Sequence, residues 1–487
     1  MFQLFSLGGR AAGLPFGIMK PLVIRSAVVA SLGGLIFGFD TAVISGAEKQ
    51  IQEQFGLSDG MLGFTVTTAL IGTIIGAVVT GRPADRYGRK KVLYTIGALY
   101  VISAIGCAVA PTSSVELLQL FRFIGGLGVG ASSVCAPIYT AEISPPKHRG
   151  RLVGLVQFNI VLGILVAYAS NAIIRGVMGD DPNAWRWMLG VMVVPAAVFL
   201  LLLPTVPETP RWLAGHDDVA RARAISERLC STQADADEQM AEIQQSLAAE
   251  SGRAKSRFYT RGHRKVILLA VAIAFFNQLS GINAILYYAP RVMEDAGATG
   301  NAPYLMSIAV GFVNLIATMA ALTVIDRLGR RRLMLVGSVG YLVSLGFLAG
   351  VMFVYDGDYD GTSAALVLLG LVVFIASHAF GQGAVIWVFI SEIFPNRIRG
   401  RAVPRQHHAL GVRRDHEFRL PADPRRTRRR LRILDLLLFH GVAATVGTQG
   451  HARDEGHPTR GDDGAAGPRF RPGRRRPRPA RGERPLI

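Results

Sequence analysis

The sequence predicts an all-α polytopic membrane protein, and three observations carry that prediction. Half of the 487 residues are hydrophobic, and mean hydropathy is positive. Continuous apolar runs recur about every 20–35 residues, and a helix needs roughly 20 such residues to cross a bilayer. Basic residues gather in alternate loops, the pattern that orients membrane proteins. A water-soluble chain of this length would instead show several amphipathic domains.

Taken in order, ten spans are predicted: 26–47, 61–81, 92–110, 117–140, 152–174, 187–205, 266–288, 303–325, 333–355 and 364–391. The basic clusters are Arg82 to Lys91, Lys147 to Arg151, Arg211 to Lys265, Arg327 to Arg332 and Arg397 to Arg401. Asp356, Asp358 and Asp360 share an intervening loop that holds no Lys or Arg. This asymmetry places residues 1–25 and the 206–265 loop in the cytoplasm of a cell (inner or plasma) membrane protein. That loop is charged and rich in Ala, Glu and Gln, which predicts short amphipathic surface helices. Cys107 and Cys135 fall in apolar runs and Cys230 in a polar loop, so they read as ordinary thiols rather than a disulfide framework. Met1–Lys20 lacks the residue order of a cleavable signal.

The chain repeats itself. Gly81-Arg82-Pro83-Ala84-Asp85-Arg86-Tyr87-Gly88-Arg89 follows the second span; Asp326-Arg327-Leu328-Gly329-Arg330 follows the eighth, 241 positions later counted from Asp85 to Asp326. Glu142, with Arg149, follows the fourth span; Glu392, with Arg399, follows the tenth, 250 positions later. Two motifs at nearly one offset indicate two homologous six-helix halves, 26–205 and 266–402, the second with four predicted spans. Transporters built from repeats bind substrate between the halves and rock alternately open. Gly81 is expected to let two helices approach closely. Asp85 and Asp326 are expected to pair with neighbouring arginines or cap a helix. Glu142 and Glu392 are expected to form inter-helix ion pairs that favour one conformation. Duplication of both motifs argues against a purely topological role for the charges.

Two clusters sit at membrane depth, where polar groups are costly unless paired. Asp40 lies within the first span and Arg122 is the only basic residue within the fourth, so each is the other's natural partner. A carboxylate whose cation moves away can take up and release a proton. In the seventh span, Gln278, Asn283 and Tyr287 stand at i, i+5 and i+9, within about 180° of one another on a helical wheel. Amides both donate and accept, which suits a ligand covered in hydroxyls; helix–helix hydrogen bonding is the alternative. Gly125-Gly126-Leu127-Gly128-Val129-Gly130 lies inside an apolar span without a Lys-Ser/Thr after it, so it reads as a packing surface rather than a phosphate loop.

The stretch Gln278-Leu279-Ser280-Gly281-Ile282-Asn283-Ala284-Ile285-Leu286-Tyr287-Tyr288-Ala289-Pro290 resembles the seventh-helix signature of sugar porters in the major facilitator superfamily. The duplicated motifs and Pro207-Glu208-Thr209-Pro210-Arg211-Trp212-Leu213 resemble the same family, in order and spacing, over about residues 26–402. The resemblance implies the major facilitator fold and transport of a monosaccharide, a hexose or pentose, by alternating access. Glu208 and Arg211 join the gating motifs with Gly81, Asp85, Arg86, Gly88, Arg89, Glu142, Arg149, Asp326, Arg327, Gly329, Arg330, Glu392 and Arg399. An acid at Asp40 resembles the proton-coupled members; passive carriers tend to have an amide there. For the sugar, the family's polar contacts fall on Gln157, Gln278, Asn283, Asn314 and Trp387, while Phe37 and Trp387 would face the C–H side of a pyranose. Tyr287 and Gln382 complete the candidate set. Two positions depart from the pattern: Asn277 replaces a second glutamine, and Gly381-Gln382-Gly383 replaces a segment carrying a further tryptophan in xylose symporters. His378 is read as a packed neutral histidine.

The resemblance thus implies proton–sugar symport, with no cofactor beyond the coupling proton, a sugar and the lipid bilayer as partners, no nucleic acid, and a monomer. No metal cluster, nucleophile–base set or phosphate loop outside the spans suggests an enzyme. The alternatives are a passive sugar carrier, a non-transporting sugar receptor, and a non-functional truncated product.

Residues 403–487 break the pattern. They hold 20 Arg against 9 Asp and Glu, a surplus of 11 within the chain's +19, together with 9 Pro, 6 of the 10 His and no Lys, Tyr or Trp. Their best apolar run, Leu431–Gly447, contains Arg432 and Asp435 and is too short to span. A disordered basic tail that binds anionic partners is one reading. The other is a shifted reading frame: Thr448–Asp462, read one nucleotide later, is compatible with LKVMPETKGIPLEEM. That string holds the family's closing signature 245 positions after Pro207.

Overall fold

The computed structural model describes residues 19–251, 264–383 and 385–386. The end of the tenth predicted span, Trp387, Glu392, Arg399 and the whole of 403–487 lie outside the described residues. Ten helical segments among them are long and apolar enough to cross a membrane. They are α1 (Pro21–Gln54), α2 (Asp59–Val79), α4 (Arg89–Val109), α5 (Val115–Ile143), α6 (Arg149–Met178), α7 with α8 (Ala184–Gly190, Val193–Leu202), α12 with α13 (Arg264–Leu279, Ile282–Asp295), α14 (Ala302–Leu328), α15 (Arg330–Tyr355) and α16 (Gly361–His378). Short helix α3 (Gly81–Tyr87) carries the first motif. Helices α9 (Pro210–Ala214), α10 (Val219–Leu229) and α11 (Gln233–Ser251) lie in the described part of the central loop.

Glycines decide how closely these helices pack. A Cβ on Gly72 or Gly76 of α2 would overlap the carbonyl oxygens of Phe123 and Leu127 of α5. One on Gly126 or Gly130 would overlap those of Ala69 and Thr73. The glycine run of the fourth span is therefore a packing surface, as its context suggested. Gly81 is not: a Cβ there meets nothing within 4 Å, because α3 starts beyond the packed part of α2. The expected close approach at Gly81 is corrected.

Two predicted spans are interrupted, each for a backbone reason. In the sixth, Pro195 has no N–H for the Val191 carbonyl, and the helix lapses between Gly190 and Val193. In the seventh, Gly281 takes φ +84° and ends α12, so the helical-wheel arithmetic from Gln278 to Tyr287 does not carry across it. Further along, Pro290 cannot donate to the Leu286 carbonyl, and Tyr288 leaves helical geometry at φ −123° and ψ 19°. At the far end of α16, Ala379–Gly383 widen into a π-turn.

Candidate functional site

Asp40 and Arg122 meet as expected. Arg122 Nη1 donates to Asp40 Oδ1 at 2.8 Å, and both side chains are 4% exposed. Gly125, one turn along α5 from Arg122, makes room: a Cβ there would clash with Ser103 Oγ and stand 3.7 Å from Asp40 Oδ1. A buried pair is tolerated because each charge neutralises the other; removing one partner strands the second at a cost of about 3–5 kcal/mol. Arg122 Nε has no hydrogen-bond partner. The pair is thus bonded through one guanidinium nitrogen.

On the other half, Asn283 Nδ2 donates to Gln278 Oε1 at 3.1 Å across the Gly281 break. The break, not a continuous helical face, brings the two amides together. Both are half-buried, as are Phe37 on α1 and Gln157 on α6. Asn314 on α14 is buried, and so is Tyr287 on α13. Gln382 is placed differently from expectation. The π-turn directs its amide to α15, where Nε2 donates to Ser338 Oγ at 2.8 Å and Met334 O at 3.3 Å. Its packing against Gly337, whose missing Cβ gives the amide room, holds it there.

The motif residues form a second cluster, at the end of the molecule where α1 begins and α9–α11 pack. Gly88, at φ +99°, caps α4 and leaves room for Glu208, whose carboxylate a Cβ would overlap. Glu208 accepts from the backbone N–H groups of Arg89 (3.1 Å), Lys90 (3.0 Å) and Thr209 (2.9 Å), so it acts as a remote N-cap for α4. Burial pushes the Glu208 carboxyl above its ordinary value of 4.5, although those N–H groups pull it down. Arg89 pairs with Glu142 at 3.0 Å and with Asp85 at 3.1 Å; Arg211 stands 3.9 Å from Glu142, and Thr209 Oγ1 donates to it at 2.6 Å. Arg149 turns instead to Glu242 of α11, as a two-pronged pair at 3.1 and 3.2 Å. Arg86 is exposed and lies over the Tyr87 ring. In the second copy, Arg330 pairs with Asp326 at 3.0 Å, Gly329 takes φ +78°, and Arg327 is exposed.

A third cluster lies at the opposite end, where no local pattern in the sequence points to it. Arg291 of α13 reaches across the halves to Glu48 (3.1 Å) and Gln52 (2.9 Å) of α1, and Lys49 pairs with Glu294 at 2.8 Å. Glu48 is 2% exposed. Tyr168 of α6 donates at 2.8 Å to Leu286 O, the carbonyl that Pro290 leaves without a helical donor. Tyr304 of α14 reaches Gly46 O at 3.4 Å. Charges at span ends read as topology signals, which hid this seam; Pro290 was the one available clue to the freed carbonyl.

Comparison with known proteins fits this arrangement. The family model described as "Sugar (and other) transporter" matches residues 26–405. The chain belongs to that family. Among curated sugar transporters, the arabinose–proton symporter of Bacillus subtilis (strain 168) is 36% identical over 383 residues, covering 78% of this chain and 81% of its own. The D-xylose–proton symporter of Escherichia coli (strain K12) is 36% identical over 404 residues, covering 77% and 80%. Among solved structures, the E. coli xylose transporter XylE in a partially occluded, inward-open conformation superposes with a TM-score of 0.75 at 31% identity. That superposition covers 88% of this chain and 97% of XylE. This sugar-transporter chain is thus a multi-pass membrane protein with the major facilitator fold.

Proposed function

We propose that the protein is a proton–monosaccharide symporter of the cell membrane. The observation that carries this reading is the buried Asp40–Arg122 pair, at membrane depth, in a chain related to xylose– and arabinose–proton symporters. Asp40 takes up a proton when Arg122 moves away and returns it when the pair re-forms, so the pair's geometry tracks the rocking of the halves. Gln278 and Asn283, with Gln157, Asn314 and Phe37, hold the sugar; Gln382 contributes through the placement of α16. The proton is the coupling ion, no cofactor is needed, and the protein makes no covalent change to the sugar. The start of α1 and the α9–α11 segment face the cytoplasm, and the Glu48–Arg291 seam keeps the opposite, external end shut. The unit is a monomer.

Uptake of labelled D-xylose, L-arabinose and D-glucose into proteoliposomes, with and without an imposed proton gradient, tests this. Gradient-driven accumulation of one sugar supports symport. Equilibration alone would favour the passive carrier, and binding without flux a receptor.

The family match stops at residue 405, just past Ala402, where the composition turns Arg- and Pro-rich. This favours a second reading, in which residues 403–487 are an out-of-frame product that replaces the last two spans and the chain as written does not transport. Resequencing the gene around codon 403 decides it. A single-nucleotide change restoring two apolar spans and the PETKG signature supports the frame shift; a confirmed sequence with sugar accumulation sinks it.

A further inference from the structure

A serine or threonine hydroxyl inside a helix can bond back to its own backbone. On the helices that flank Asp40, Ser45 of α1 does so to Ala42 O at 2.7 Å, and Thr140 of α5 to Ala136 O at 2.8 Å. Ser103 of α4 does not. It is 1% exposed, and its Oγ has no hydrogen-bond partner. Its side chain faces Gly125: the Oγ fills the place where a Cβ would stand, and Asp40 Oδ1 lies 3.7 Å from that same point. Two other buried hydroxyls along α4 and α5 lack partners, Tyr100 Oη and Ser132 Oγ. The Tyr100 ring packs on Gly128, whose Cβ would stand 3.2 Å from its Cε1, and Ser132 Oγ presses on Gly33. Gly33 is two turns from Asp40, about 10 Å along α1. Ser103 is the hydroxyl placed beside the carboxylate.

Arg122 serves only one state of Asp40. An ionised carboxylate accepts from the guanidinium, as it does here. A protonated carboxyl has an O–H to give, and a guanidinium holds donors alone. Leaving that O–H unmet in an apolar seam is costly. We propose that Ser103 is the docking partner of protonated Asp40: when Arg122 withdraws, the new O–H of Asp40 donates to Ser103 Oγ, and the Ser103 hydroxyl turns its own proton to the Leu99 carbonyl one turn back. Every polar group then has a partner in both states. This role rests on the symport reading above, with the coupling proton as the one Asp40 takes up. The other titratable groups that feel the pair are Tyr100 and Cys107 of α4 and Tyr287 of α13. Cys107, one turn beyond Ser103, offers only a weak thiol. Between Arg151 and Arg175, α6 holds Tyr168 alone, and its hydroxyl is taken by Leu286 O. Of all these groups only the carboxyl ordinarily titrates below about pH 8.

The test titrates purified full-length protein and reads the infrared band of the protonated carboxyl that Asp40→Asn removes. Gradient-driven uptake of D-xylose, L-arabinose and D-glucose into proteoliposomes is followed across the same pH range. In Ser103→Ala the midpoint of the band should move about half to one pH unit to the acid side, the scale of one hydrogen bond. The pH profile of uptake should move with it. Ser103→Thr keeps the hydroxyl and should stay with the wild type. Ser132→Ala removes an equally buried hydroxyl away from Asp40 and should also leave the midpoint in place. An unmoved band in Ser103→Ala overturns the proposal, as does an equal shift in Ser103→Thr or Ser132→Ala. A shift to the alkaline side overturns it too, because Ser103 would then serve the carboxylate. If wild-type uptake ignores pH while the band still shifts in Ser103→Ala, the symport reading fails and the docking role stands. If Asp40→Asn removes no band, Asp40 takes up no proton and both fall.

Discussion

The two halves bury polarity at membrane depth in opposite ways. The first uses full charges, Asp40 and Arg122, set 2.8 Å apart on unbroken helices and nearly sealed from solvent. The second uses neutral amides, Gln278 and Asn283, set on either side of a glycine break. A charge pair has a large gap between its paired and separated states, which suits storing and releasing a proton. Amides change little in energy as they exchange one partner for another, which suits a ligand that must enter and leave.

The comparison breaks most visibly at Asp40. Asp40→Asn should abolish uphill, pH-dependent sugar uptake while leaving counterflow exchange intact. A proton falling through 100 mV releases about 2.3 kcal/mol, enough for roughly fiftyfold accumulation, and all of that should vanish. An Asn variant that still concentrates sugar with undiminished pH dependence would remove the charged half from the coupling.

Next in size is Gln278→Ala. It should weaken sugar binding by about 1–3 kcal/mol, the cost of leaving a buried polar group unmatched, with membrane insertion unchanged. Unaltered affinity by calorimetry would return Gln278 to a helix-packing role, and the neutral half would lose its claim on the ligand.

A third experiment asks whether the seam obeys the logic of the charged half. In a double-mutant cycle, Glu48→Gln and Arg291→Gln should show roughly 0.5–3 kcal/mol of coupling in thermal stability. Deuterium uptake should rise at residues 45–54 and 291–295, and the exchanged pair, Glu48→Arg with Arg291→Glu, should recover part of the loss. Additive effects would mean that the ion pair does not join the halves.

The smallest effect concerns Glu208. Its carboxyl is raised above 4.5 by burial, so in the pH window between its ordinary and its raised value the folded protein binds more protons there than the unfolded chain. Its contribution to stability is therefore complete below the ordinary value and is lost as pH rises through the raised one. In Glu208→Gln this component of the pH–stability profile should disappear. A profile identical to wild type would show that the three N–H donors fully offset the burial.

Much of this could be read from the residues because it depends on local pattern. The spans follow from apolar run length, the motif repeat from spacing, and the Asp40–Arg122 pair from two charges that had no other partner at that depth. What escaped depends on distant contacts or on backbone geometry. Glycine in Ser280-Gly281-Ile282 is visible, but its left-handed φ is set by the helices around it, and that turn alone moves Asn283 against Gln278. Gln382 is a candidate ligand on paper and a partner of Ser338 in the fold, because it sits within the Ala379–Gly383 π-turn. Glu48 and Arg291 are 243 positions apart, and nothing local ties them.

Pro290 has a consequence for turnover. By lacking an N–H it leaves the Leu286 carbonyl open, and the opposite half fills the vacancy with Tyr168. Closing that contact takes nothing from the helix's own ladder. When the halves part, a water molecule can occupy the same oxygen at nearly equal enthalpy. The joint is therefore reversible by solvent exchange, without local unfolding in either direction. Such a fastener lets a machine cycle quickly and arrive each time at the same closed position.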